Sequence, residues 1–279
     1  MSESLASSSM LLLPSAKKAL DWSVKSWFVV ALAGQWVFAI YILMIYTLTF
    51  VNGLNVTDFS PAPSLKQAEG YVLFIFFAHV LPAVYLSLLG MTQLVPSIRN
   101  NYRGFHRWNG RLFLLLGITG ALSGLYLQWS KGWETNTAAS LGITLNGLLI
   151  LVAAYLAWFY AIKKRFEAHK RWAIHAFFLV NGVWTFRLYL MGWYMVNQGP
   201  NGNTRNIDGP MDITLSFACY LLPMLFAELY FWAKKQRASG KAWLSTGVMS
   251  LGVLITIVGV VAAATMMWAP RISNVLGAI

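Results

Sequence analysis

Four ionisable side chains fall inside long apolar runs of this 279-residue chain: His79, His175, Arg187 and Glu228. In hydrocarbon such a group costs about 3 kcal/mol, so it faces a bundle interior, pairs with a neighbour, or marks a ligand, ion or proton path. A neutral imidazole in such a bundle is a good axial ligand for haem. With a rise of 1.5 Å per residue, His79 lies roughly 24 Å and Arg187 roughly 22 Å from the inner ends of their predicted helices, Glu228 about 9 Å and His175 about 5 Å. Depth makes His79 and Arg187, with Gln93 on the same helix as His79, buried polar candidates. It gathers Glu228, His175 and His106 toward an inner-face site, and leaves Arg187 and Glu228 needing separate partners. Further inner-face candidates are His169, Arg107 and Arg111.

The gathering of His106, His169 and His175 at one side excludes a pair of bis-histidine haems, which needs matched histidines at both faces. It leaves one haem b between His106 and His175 or His169, or a quinone headgroup, as the cofactors these groups suit. On the His79 helix, Pro82, Leu86, Gly90 and Gln93 share the histidine's face, and Gly117, Gly120 and Gly124 line a small-residue face on the next helix. The plainer reading is that both stripes pack helices, with His79 bonded to a neighbouring carbonyl or hydroxyl.

These groups are positioned by an all-α, polytopic helical membrane bundle. Of the residues, 58% are hydrophobic and 11% charged, against roughly a quarter charged in soluble domains. Crossing about 30 Å of hydrocarbon takes roughly 20 apolar residues, and seven stretches qualify: 26–50, 70–95, 111–129, 141–162, 172–196, 213–233 and 243–268. Tryptophans at several ends (Trp27, Trp129, Trp172, Trp193, Trp232, Trp243, Trp268) suit the headgroup layer, whereas Trp158 and Trp184 read as filling the bundle.

Lysine and arginine alternate between the connections. The segments with Lys17, Lys18, Lys25; Arg99, Arg103, Arg107, Arg111; Lys163, Lys164, Arg165, Lys170, Arg171; and Lys234, Lys235, Arg237, Lys241 carry sixteen, and the intervening ones carry Lys66, Lys131, Arg205 and Arg271. Basic flanks stay cytoplasmic, so the amino terminus is inside and the carboxyl terminus outside. The organisation expected is a serine-rich, unstructured cytoplasmic tail at 1–25, a seven-helix membrane domain at 26–268 and a short outer tail at 269–279. The location expected is a bacterial inner membrane. The basic inner segments read either as topology signal touching anionic lipid headgroups or as a vestibule for an anionic substrate.

A net charge of +12 scattered between apolar runs does not make a nucleic-acid surface. Cys219, alone in the chain, permits neither a disulfide nor a cysteine metal site. No motif for hydrolysis, phosphoryl transfer or nucleotide binding is present, so enzymatic activity stays open.

Two predicted hairpins echo each other at a spacing of 64 residues: 106–115, beginning His106-Arg107-Trp108, and 170–179, beginning Lys170-Arg171-Trp172. At these residues the chain resembles a bacterial membrane-protein family, domain of unknown function 2306. The resemblance rests on His79, Gly90 and Gln93, the run Gly104-Phe105-His106-Arg107-Trp108-Asn109-Gly110-Arg111-Leu112-Phe113, the block from His169 to His175, Arg187-Leu188-Tyr189 and Ala227-Glu228, across roughly 70–232. The family usually carries Met and Arg where Ala173 and His175 stand, so a family-wide role for position 175 is not implied. The resemblance implies an integral membrane protein of unassigned role. The residues add the expectation of a buried polar site for a small molecule, lipid or redox cofactor. A solute transporter, a haem- or quinone-binding redox subunit and an accessory subunit of a membrane complex are the alternatives.

Overall fold

In a computed structural model the chain is helical throughout, with no strand among the described residues, which are 2–59, 70–130, 137–235 and 239–279. The helices are α1 (Ser2–Val51), α2 (Val56–Phe59), α3 (Tyr71–Leu89), α4 (Pro96–Asn101), α5 (Arg103–Ser130), α6 (Thr137–Ile162), α7 (Phe166–Val180), α8 (Gly182–Val196), α9 (Pro210–Lys235), α10 (Ser239–Ala263) and α11 (Ala269–Leu276). A 3₁₀ turn, Gly90–Leu94, extends α3, and a π turn, Ala264–Trp268, joins α10 to α11. Lys66, Lys131 and Arg237, which enter the charge alternation, lie outside the described residues.

Among the described residues six helices are long and apolar enough to cross a membrane, and α7 with α8, bent by 54° at the break between them, makes a seventh when the pair is counted as one span. The apolar side chains that would destabilise a soluble protein face outward, among them Val29, Ile40, Phe74, Leu122, Leu148, Leu225 and Leu254. Such an apolar belt suits a surface whose solvent is lipid.

Three expectations change. Residues 2–25 continue α1 instead of forming an unstructured tail, and Ala16, Leu20 and Ser23 are buried. The last span continues through α11, where Val275 is buried, so the stretch after position 268 is largely helix. The fifth span, 172–196, is two helices. Asn181 takes the non-helical φ −86°, ψ 8°, its side-chain amide donates to Phe177 O at 2.8 Å, and Gly182 follows. Asn and Gly are poor helix formers, and a side chain that competes for main-chain carbonyls weakens the ladder there.

Trp268, expected in the headgroup layer, is instead buried, packed against Phe38 (ring centroids 5.4 Å apart) and Tyr41 (6.1 Å). Trp158, expected to fill the bundle, is exposed, whereas Trp184 is buried as expected.

The main core runs between α1, α8 and α10 and takes in Phe38, Ile42, Trp184 and Leu188, with Phe113 and Phe177 from α5 and α7. A second cluster joins α5, α6, α7 and α9 through Ala121, Ile150, Ala153, Leu179, Cys219 and Tyr220. The basic segments meet at one end of this bundle. Lys234 Nζ lies 2.8 Å from Asp21 Oδ1, joining the end of α9 to α1, and His169 Nδ1 lies 2.8 Å from Ala157 O, joining α7 to the end of α6.

Candidate functional site

The turn between α6 and α7 is tight because Lys164 adopts a left-handed φ of 55° and Arg165 N donates to Tyr160 O at 2.9 Å. It folds the start of α7 back over α6 and sets Arg171 and His175, four residues apart on one helical face, against α9. There Glu228 receives Arg171 through both carboxylate oxygens. Arg171 Nε donates to Oε1 at 2.7 Å, Nη2 donates to Oε2, and His175 Nε2 lies 2.6 Å from Oε1. A fork-on-fork pair of this kind fixes orientation as well as charge.

The cluster is graded in exposure. The Arg171 side chain is 58% exposed, that of Glu228 32% and that of His175 8%. A hydrogen-bonded path thus runs from the rim of the basic end to an imidazole in the interior. With Glu228 as a carboxylate, His175 Nε2 carries the donated proton. The other ring nitrogen, Nδ1, is buried and has no hydrogen-bond partner. Trp172 packs edge-on to the His175 ring with centroids 5.9 Å apart.

Of the groups expected at the inner face, Glu228 and His175 are in direct contact. His106 is not bonded to either of them; it stands within electrostatic range of His169 and Arg99, with its own Nδ1 buried and unbonded. Arg107 and Arg111 are exposed, and Arg111 stacks over Trp108 at 5.0 Å. Beside them an apolar groove of about 640 Å³ opens between α5 and Trp158 of α6, with Tyr85, Asn109 and Arg111 as its polar lining. Asn109 is buried, accepts from Tyr85 Oη at 2.6 Å and donates to Thr92 Oγ1 at 2.7 Å. Gln93 faces α5 across Gly110, and its Nε2 is buried without a partner.

His79 sits against α5, with Nδ1 3.0 Å from both Gly120 O and Ser123 Oγ. A Cβ at Gly124 would stand 2.9 Å from the His79 ring, and one at Gly117 would stand 2.8 Å from Val180. At both of these positions the glycine face lets neighbouring side chains approach α5 closely, and His79 is hydrogen-bonded within its contact with that helix. Arg187 is within electrostatic range of His79, in keeping with their shared depth, and does not meet Glu228. Among the described residues no three of His, Cys, Asp and Glu converge as a metal site.

The model of a family described as predicted membrane protein, DUF2306, matches residues 76–231, more than half of the chain. The chain belongs to that family. No curated protein and no solved structure matches it. The DUF2306 segment runs from α3 to α9 and contains His79, Arg171, His175, Arg187 and Glu228, whereas α1 and α10 lie outside it.

Polar groups at the α7–α8 break are absent from the candidates read in the sequence. Gln35 of α1, 1% exposed, donates from Nε2 to Asn181 Oδ1 at 2.8 Å, and its Oε1 has no partner. Asn146 of α6 lies against Gly182, with its Oδ1 also buried and unbonded. Both are uncharged amides within apolar spans, and no local pattern in the sequence links either of them to the Asn181-Gly182 step. Arg171 stands in the basic cluster and in the repeated Arg-Trp pair, and nothing local in the chain marks Glu228, 57 positions away, as its partner.

Proposed function

We propose that this DUF2306 protein binds a small molecule carrying an exchangeable proton at the Arg171–His175–Glu228 cluster, and passes protons between that ligand and water at the basic end. The observation that carries the proposal is the unpartnered, buried Nδ1 of His175 on an imidazole whose Nε2 is bonded to Glu228. A proton accepted at Nδ1 lets Nε2 release its own to Glu228 Oε1. The carboxylate, a third exposed, can return it to water. Arg171 offsets the carboxylate charge and orients it. A quinone-type headgroup has the right chemistry, since its oxygens accept from or donate to Nδ1. A haem b at His175 would have to take Nδ1, the ring nitrogen beside the side-chain stem, because Nε2 is held by Glu228, which would then be the outer partner of the ligating imidazole.

We further propose that the basic end faces the cytoplasm of a bacterial inner membrane, as the alternation of lysine and arginine supports. Arg107 and Arg111 then reach anionic lipid headgroups at the mouth of the α5–α6 groove. A second reading, solute transport, is favoured by the broken helix at Asn181, because broken spans with buried polar groups line the substrate sites of many transporters.

The test is an extract of the mildly solubilised protein analysed by mass spectrometry and by a reduced-minus-oxidised absorption spectrum, beside the His175→Leu variant. A water-soluble short-chain quinone is then titrated into both, with tryptophan fluorescence as the readout. Retention or quenching in the wild type, lost in the variant, is expected. Equal behaviour of the two proteins overturns the reading.

A further inference from the structure

Among the described residues the ion pairs are those of Glu228 with Arg171 and His175 and of Asp21 with Lys234, all at the basic end. About 30 Å along α1 from Asp21, at 1.5 Å per residue, stands Tyr41. Here the charge balance is different. The Arg187 guanidinium of α8 lies 5.5 Å from the Phe38 ring of α1, and Phe38 stacks on Tyr41 with centroids 6.1 Å apart. Arg271 of α11 donates from Nη1 to the Tyr41 hydroxyl at 3.2 Å. Arg271, Tyr41 and Tyr46 are the ionisable groups within electrostatic range of Arg187, and His79 lies near it on the α3 side.

Two guanidinium groups therefore share one neighbourhood, and among the described residues neither forms an ion pair with a carboxylate. Arg187 donates one hydrogen bond, from Nη1 to Val183 O of its own helix at 3.0 Å. A guanidinium carries five N–H donors in a planar fork, so most of its capacity is unused. Removing two like charges from water without a countercharge is strongly unfavourable, and intramembrane arginines are accordingly paired or sit on an ion or substrate path. The Tyr41 hydroxyl, having accepted from Arg271, keeps its own proton to donate.

We propose that Arg187 and Arg271 hold an oxyanion, a carboxylate or a phosphate, at this end of the bundle, with the Tyr41 and Tyr46 hydroxyls as further donors. The Arg187 guanidinium sits over the Phe38 ring and donates one hydrogen bond within its own helix, which leaves its other N–H groups to meet the ligand. The site is independent of the His175 cluster and stands or falls separately from it. The anion comes either from a dissolved solute or from a lipid headgroup reaching in from the membrane.

The full-length protein in detergent is titrated with inorganic phosphate and with acetate, by equilibrium dialysis and thermal unfolding. In parallel, binding is compared between vesicles of phosphatidylglycerol and of phosphatidylcholine. Saturable phosphate or acetate binding supports a solute site. A preference for phosphatidylglycerol that Arg187→Gln removes supports a headgroup site. In either case Arg271→Gln weakens binding about tenfold, the effect of losing one charge-assisted contact. Arg187→Lys, which keeps the charge and loses the fork, is the second variant if Arg187→Gln does not fold, and it should bind less tightly than wild type. The proposal is overturned if neither anion nor vesicle type distinguishes wild type from Arg187→Lys and Arg271→Gln.

Discussion

His175 Nε2 lies 2.6 Å from Glu228 Oε1, a contact between residues 53 positions apart that fixes which nitrogen of the imidazole faces the interior. Arg171 approaches the same carboxylate from the exposed side. The two partners of Glu228 therefore differ in dielectric surroundings.

Unequal coupling follows from that difference. An ion pair with one partner more than half exposed contributes about 0–1 kcal/mol, whereas a bond to a buried polar group contributes about 1–3 kcal/mol once loss of the partner is included. Double-mutant cycles on thermal unfolding in micelles should give a larger coupling for His175→Leu with Glu228→Gln than for Arg171→Gln with Glu228→Gln. The reverse order is incompatible with a buried His175.

At the helix break, Gln35→Leu removes the bond to Asn181 and leaves a buried amide oxygen without its donor. A loss of about 1–3 kcal/mol is expected. Chemical unfolding of the variant should show it, and a stability unchanged from wild type would mean that α1 does not lock the break.

The α5 glycines should separate by position. An added Cβ at Gly124 stands 2.9 Å from His79, whereas at Gly120 nothing lies within 4 Å. Gly124→Ala should therefore lose about 1–3 kcal/mol through overpacking. Gly120→Ala should be neutral or slightly stabilising, as expected where alanine replaces glycine in a helix. Comparing the two melting temperatures decides it.

Asp212, buried in the first turn of α9, accepts from Asn203 Nδ2 at 2.6 Å, Thr204 N at 2.9 Å and Gly209 N at 3.0 Å. It ties the loop before α9 to the helix. Asp212→Ala should cost about 1.5–3 kcal/mol and expose that loop to proteases. Limited proteolysis giving the wild-type pattern would contradict this.

Threading is open to a direct check. Reporters fused after Lys66 and after Lys164 should occupy opposite compartments, with the second cytoplasmic. Finding both on one side removes the basis for assigning the basic end to the cytoplasm.

The membrane-spanning helices were legible from composition, because about 20 apolar residues in a row have no other stable use, and that requirement is local in the chain. Depths within each span follow from the chain for the same reason, since the helical rise turns residue number into height. Partner choice does not. Which face of α7 meets α9, and hence that Glu228 takes Arg171 and His175 while His106 bonds to neither, depends on packing between elements far apart in sequence. The bend at Asn181 also needed the tertiary structure, because whether an Asn-Gly step bends a span depends on its neighbours, here Gln35 donating to the Asn181 side chain. The same holds for Arg271. On sequence it is a lone charge in an outer tail, and only the continuation of α10 into α11 brings it to Tyr41 and within reach of Arg187.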